Sequence, residues 1–510
     1  MARVDDEFSL RAYLDEKEGA LRDFSVKLAR LWFRQYVDKT RSPEIDTLEE
    51  GQSRLLLDPE LAETVARFAG RVEDPLLQRR LGAWEKTLLA ARIHARPEVF
   101  RLQNDIAGRQ VAYRPEYNGF PTDMATLRHI MRQDADPMHR EEAWVAMAPL
   151  AKELEPHVRE LMNLRNALAR ELGYASYVDL SLHLQDLTRD EVETALQTLA
   201  AQTQDLYMRC LHEEQEHAGL LKVMPWDIMY LLERAEAASP EHFRAGQVER
   251  KMAEFLRTHG IDLGKTGIRL VVTDIPYNGL TMSIDPPRDI RILVNPRDGL
   301  GYYSTIFHEY GHALHAYYAN PPAHILRHEA GVFNEAMAEV VAYFVNHPDW
   351  LAGMGLSQAE IGAALRARLL AQFSFLRQRS ANALFEYRAY DDPGQNLNAL
   401  YAVVQSQIVG HEIDPRPQWA ANAWYTSYPV YWQNYVLADV VASQTHRAIR
   451  QQFGHSYGNP QVFAYLREQY WVPAGSIGWK EKVRRATGEE WGVGALVEEI
   501  QAAGEEFYPA

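Results

Sequence analysis

The sequence predicts a mainly α protein with one small antiparallel β-sheet. Three observations carry this. Apolar residues recur at spacings of three and four through the first 260 residues, one β-like stretch runs through 268–294, and the helical pattern then returns to the end of the chain. Leu21, Phe24, Leu28, Leu31 and Trp32 make one apolar stripe, and Leu77, Leu81, Trp84, Leu88 and Leu89 make a second. Residues 161–173 are rich in strong helix formers and end on Gly173, suited to a left-handed cap. Within the β-like stretch, 268–272, 280–284 and 290–294 read as short strands, with Asn278-Gly279 and Asp285-Pro286-Pro287 as turns. No internal repeat, low-complexity linker or long charge block interrupts the 510 residues, which read as a single helical unit.

Hydrophobic residues make up 46% of the chain and charged residues 24%, the balance of a folded globular protein rather than a disordered one. With 54 basic against 70 acidic side chains the net charge is −16, which argues against a nucleic-acid-binding surface. A single cysteine, Cys210, excludes an internal disulfide and any thiolate-rich zinc or iron–sulfur cluster within one chain. It suits a reducing, cytoplasmic setting. The first residues carry early acids and no apolar core, unlike a secretory signal. No uncharged apolar run reaches the ~18 residues of a membrane span.

The chemistry concentrates after the strands. Residues 308–312 read His308-Glu309-Tyr310-Gly311-His312, inside a helical pattern that Pro321-Pro322 terminates. Side chains four apart on a helix differ by about 40° in azimuth, so both imidazoles face one point. Two neutral imidazoles held this way suit Zn²⁺ at ~2.0–2.1 Å. Glu309 would point across the open coordination position, as a base for a water that the metal activates. One loop later, residues 331–339 open a second helix, and Glu335, 27 residues beyond His308, is placed to supply a third ligand. Glu339, one turn further, can accept the outer N–H of a ligand histidine. A carboxylate among Ala336, Met337, Val340, Val341 and Phe344 would be costly without a partner. One zinc per chain, held by His308, His312 and Glu335, is therefore expected. His315 would pack beside the site, and His324 and His328 would lie at the surface of the connecting loop.

A second cluster, residues 424–435, is dense in aromatics. Tyr431 and Trp432 read as core. A tyrosine hydroxyl such as that of Tyr435 has the chemistry to donate to an oxyanion.

The motif 308–312, the glutamate segment 333–339, the strand-like 289–292 and the order Tyr428-Pro429-Val430-Tyr431-Trp432-Gln433-Asn434-Tyr435 together resemble the helical zinc peptidases. That gluzincin group includes thimet oligopeptidase, oligoendopeptidase F and angiotensin-converting enzyme. The resemblance covers most of the chain after about Arg159, with residues 164–174 and Pro225-Trp226-Asp227 also similar. It implies a large two-lobed helical body with a deep central cleft, in which residues 1–158 form a helical part of the wall or lid. Residues 159–510 then form the peptidase region, with its site within 308–339. It further implies that Gly279, Leu280, Thr281 and Met282 form an edge strand pairing with the substrate backbone. By the same resemblance Tyr435 stabilises the tetrahedral intermediate, and Tyr425, Tyr428 and Tyr431 contact substrate. The implied activity is hydrolysis of short oligopeptides, as an oligoendopeptidase. Two positions depart from the pattern: Tyr425 and Asn278 stand where relatives often carry substrate-contacting histidines. They leave open a narrower carboxypeptidase or amidase on a peptide-like bond, or a peptide-binding protein with little turnover.

Overall fold

A computed structural model of the chain describes residues 4–235, 240–414, 416 and 418–509. Helices dominate, from the 32-residue Glu7–Asp38 to the 34-residue Gln358–Asp391, so the mainly α class is the one observed. Two compact units are each assembled from three stretches of chain. The first takes residues 1–95, 238–357 and 441–491, and the second takes 96–237, 358–440 and 492–510. The expected boundary between residues 158 and 159 lies inside helix Ala148–Glu171 of the second unit. No helix among the described residues is long and apolar enough to cross a membrane.

In the first unit, Leu10, Leu14 and Leu21 pack with Leu77, Leu81 and Trp84, so both apolar stripes converge on one core. Trp32 falls outside it at 38% exposure, because the last turns of its helix run past the buried face. Glu18 is buried inside this core and is fully engaged. It accepts from Arg80 Nε at 2.5 Å, Trp84 Nε1 at 3.2 Å and the Ile325 backbone N–H at 3.3 Å. A charge removed from water requires that degree of pairing. Here it also ties the N-terminal helix to the loop between helices Leu300–Tyr318 and Gly331–Ala342.

The sheet differs from the expected antiparallel one. Its order places Asp289–Val294 in the middle, parallel to Ile268–Val272 and antiparallel to Gly279–Asp285. The middle strand is the most apolar: Ile290, Ile292, Leu293 and Val294 are fully buried, which favours pairing on both sides. The crossing loop is clipped by Asn295. Its Nδ2 donates to the carbonyls of Ile275 (2.6 Å) and Tyr277 (2.9 Å), while its Oδ1 accepts from the Ile275 N–H (3.1 Å). Gly279–Asp285 is thereby left as an edge strand, with Thr281 opposite Ile292.

Helix Leu300–Tyr318 follows the sheet and packs on helix Gly331–Ala342. Gly311 sits at their crossing. A Cβ there would lie 2.5 Å from Ala338 Cα and 2.7 Å from the Met337 carbonyl oxygen. Only a residue without a side chain allows that approach.

The second unit is built around Gln358–Asp391. Gly173, with φ +89°, ends the helix predicted over 161–173 as expected. The buried Arg165 guanidinium donates to the Tyr425 carbonyl (2.9 Å), the Thr426 carbonyl and the Tyr390 hydroxyl (3.2 Å), fixing the start of the aromatic segment. A two-stranded ladder, Glu116–Tyr117 with Phe120–Pro121, adds a second small sheet that the sequence pattern did not signal.

Two glycines of the motif helix should respond oppositely to alanine. Gly311→Ala overpacks the crossing and should cost about 1–3 kcal/mol in denaturant unfolding. Gly301→Ala meets nothing within 4 Å and should be neutral or stabilising by up to about 1 kcal/mol. Equal effects at both positions would contradict the close-approach account.

Candidate metal centre

The motif helix is helical through His308 and His312 because its apolar residues, among them Ile306, Phe307, Tyr310 and Leu314, are buried on the faces flanking the histidines. Both imidazoles consequently turn toward the glutamate helix. His308 Nε2 lies 3.5 Å from Glu335 Oε2, and His312 Nε2 lies 3.8 Å from the same oxygen. One ligand atom from each of the three residues falls within 4.8 Å of the others. Ligand atoms ~2.0–2.1 Å from a tetrahedral ion stand ~3.3 Å apart, so the two imidazole–carboxylate distances fit a small divalent cation with a contraction of a few tenths of an ångström. These are the three residues that the spacing singles out as candidate ligands.

The outer ring nitrogen of His308 donates to Glu339 Oε1 at 2.9 Å, which turns Nε2 toward the site. His312 lacks an equivalent partner: its Nδ1 is buried with no hydrogen bond among the described residues. The two histidines are electrostatically unlike. Burial opposes charge on His308, but the carboxylates of Glu335 and Glu339 outweigh it and hold the pKa well above the usual value. Burial and the adjacent His308 push His312 down.

Glu309 is buried beside the trio, pressed against the edge strand. Thr281 Oγ1 donates to Glu309 Oε2 at 2.6 Å and lies 3.0 Å from the Glu309 carbonyl oxygen. A Cβ on Gly279 would fall 2.7 Å from Glu309 Cγ and 2.8 Å from its Oε1. Leu280 is half-buried on the same strand.

His315 takes no part in the ligand set. Its Nε2 lies 2.6 Å from Glu329 Oε2, and Glu329 also pairs with the fully buried Lys482. Lys482 and His315 hold the Glu329 pKa down against its burial. This triad anchors the residue two places before the glutamate helix. Sequence reading missed it, since Lys482 is 153 positions from Glu329 and carries no motif. His328 is exposed, as expected of the loop. His324 is half-buried, and its pKa is lowered to about 4 by burial and by His328.

The aromatic residues lie in the second unit. Tyr428 is 45% exposed, and Tyr431 and Tyr435 are half-buried, with ring centroids 5.6 Å apart. Trp424 stacks on Tyr431, and Phe375 meets Tyr435 edge-on. Tyr425 is fully buried against Phe385 and Trp432, and its hydroxyl has no hydrogen bond among the described residues. Val430 has φ +55°, a conformation β-branched residues rarely adopt. Its N–H donates to buried Glu386 at 3.0 Å, and its carbonyl accepts from Gln433 Nε2 at 2.7 Å. Burial pushes the Glu386 carboxyl up to about 8.

Comparison with known proteins bears on the fold that carries this centre. Residues 130–255 match peptidase family M3. The crystal structure of the M32 carboxypeptidase from Deinococcus radiodurans R1 is similar in fold at a TM-score of 0.69, over 98% of this chain and 99% of that one, with 14% sequence identity. No curated protein sequence matches.

Metal loading should be coupled to proton release. The carboxylates of Glu335 and Glu339 favour the charged form of His308, and ligation requires the neutral ring. Calorimetric zinc titrations in buffers of different ionisation enthalpy should show net proton release near pH 7. Glu339→Ala should weaken binding ~10–100-fold and reduce the release. Absence of proton release would contradict the charged state of His308.

Residues 130–255 thus resemble peptidase family M3, and the chain as a whole shares the fold of the M32 carboxypeptidase, with His308, His312 and Glu335 converging outside the matched segment.

Proposed function

We propose that the protein is a zinc-dependent peptidase that hydrolyses peptide bonds of short oligopeptides. The observation that carries the reading is Glu309, a carboxylate fixed beside three convergent ligand atoms but not one of them. The donor set of two imidazoles and one carboxylate favours zinc, one ion per chain. When bound, zinc would polarise the scissile carbonyl and lower the pKa of an attacking water.

The chain's own residues supply the remainder. Glu309 takes the water's proton and returns it to the leaving amine. The edge strand, paired on one side only, offers backbone groups at Gly279, Leu280 and Thr281 to an extended peptide. Such pairing recognises a backbone rather than a side chain, which suits varied peptides. Tyr435 is assigned the oxyanion hydrogen bond, and Tyr428 and Tyr431 substrate contacts, on the sequence order of their segment alone. Tyr425, with its ring in the core, is left out of that surface. The lone cysteine, buried Cys210, fits a cytoplasmic setting.

Endopeptidase cleavage is the first reading. Carboxypeptidase action is the second, favoured by the fold shared with the M32 carboxypeptidase. Mass spectrometry of a mixed peptide library separates them: internal fragments support the first, and stepwise loss from the C-terminus supports the second. Intact peptides from the zinc-loaded protein would defeat both. Glu309→Gln should retain zinc and lose ~10²–10⁴-fold in kcat, so near wild-type turnover would assign the base elsewhere. Tyr435→Phe should lower kcat by ~10²–10³-fold with little change in KM. An effect confined to KM would reassign Tyr435 to substrate binding.

A further inference from the structure

The edge strand lies against the base carboxylate. Gly279 and Thr281 are two apart, so they share one face of the strand, and both contacts place that face against the motif helix. The Glu309 Oε1 side lies where a Gly279 Cβ would stand, while Oε2 accepts from the Thr281 hydroxyl at 2.6 Å. A hydroxyl has one proton to give. The 2.6 Å separation to a carboxylate is in the charge-assisted range, whereas the 3.0 Å contact to the Glu309 carbonyl oxygen is not, so the proton goes to Oε2. The carboxylate is thus held in one orientation by a strand rather than by its own helix.

We propose that Thr281 is a positioning residue for the general base: its hydroxyl, with the space left by Gly279, fixes the Glu309 carboxylate to the strand that grips the substrate backbone. The inference rests on the peptidase reading above. Its consequence is mechanical. The same short strand sets both the register of the peptide and the position of the proton acceptor, so a shift of the strand relative to the motif helix moves both together. A displacement of the base by about 1 Å can cost ~10²-fold in rate.

Thr281→Val tests this, because valine keeps the shape and the β-branched preference for a strand while removing the hydroxyl. Thr281→Ser restores the donor without the methyl. In zinc-loaded enzyme, Thr281→Val should lose ~10–100-fold in kcat with KM and bound zinc unchanged, and Thr281→Ser should recover most of the loss. Crystal structures of the metal-free variants give a readout independent of turnover: the Glu309 carboxylate turned from the strand in Thr281→Val and in place in Thr281→Ser. A valine variant with wild-type kcat, or a serine variant as impaired as the valine, would overturn the proposal. Failure of the underlying reading looks different, since the unaltered protein would then cleave no peptide at all.

Discussion

The metal centre depends on how closely two helices approach at Gly311. The two histidines of the candidate centre are on one helix and Glu335 is on the next, so the distance from carboxylate to imidazole is set by the helix separation. With Ala338 Cα only 2.5 Å from where a Cβ would stand, the crossing is at the limit that backbone contact allows. Glutamate is a short reach from its helix axis. A wider crossing would leave Glu335 Oε2 beyond the 3.5 and 3.8 Å that bring it to both rings. The fourth position of the motif is thus steric in purpose, while the first, second and fifth carry the polar side chains.

Buried charges hold the surrounding parts in register. Glu18 accepts the Ile325 N–H at one end of the connecting loop, and Glu329 meets Lys482 and His315 at the other. Each carboxylate is surrounded by donors from separate stretches of the chain. Removing one partner from such a set commonly costs ~3–5 kcal/mol, because the remaining charge stays buried. The loop that delivers Glu335 is therefore fixed at both ends by groups outside the His308–His312–Glu335 trio.

The edge strand and the motif helix form the other dependency. The middle strand Asp289–Val294 is apolar enough to be paired on both sides, and Asn295 clips the crossing loop, which leaves Gly279–Asp285 outermost. Its exposed edge and its contact with Glu309 follow from the same placement. Second-unit order rests on comparable devices: Arg165 fixes the carbonyls of Tyr425 and Thr426, and Glu386 with Gln433 holds Val430 in its left-handed conformation just before the helix bearing Tyr435.

By itself the sequence determined what depends on neighbours within a few positions. The helical class, the cap at Gly173, the facing of His308 and His312, and the carboxylates at Glu335 and Glu339 all follow from the 3.6-residue period and from the cost of burying an unpaired charge. Only the tertiary structure decided the rest. The parallel pairing of Ile268–Val272 with the middle strand, the niche that Gly279 and Thr281 make for Glu309, and the burial of Tyr425 depend on which surfaces meet. So do the Glu329–Lys482 pair and the assembly of each unit from three separated stretches. Such contacts join residues tens to hundreds of positions apart, and they are selected by packing and pairing across the whole fold, which leave no local period in the chain.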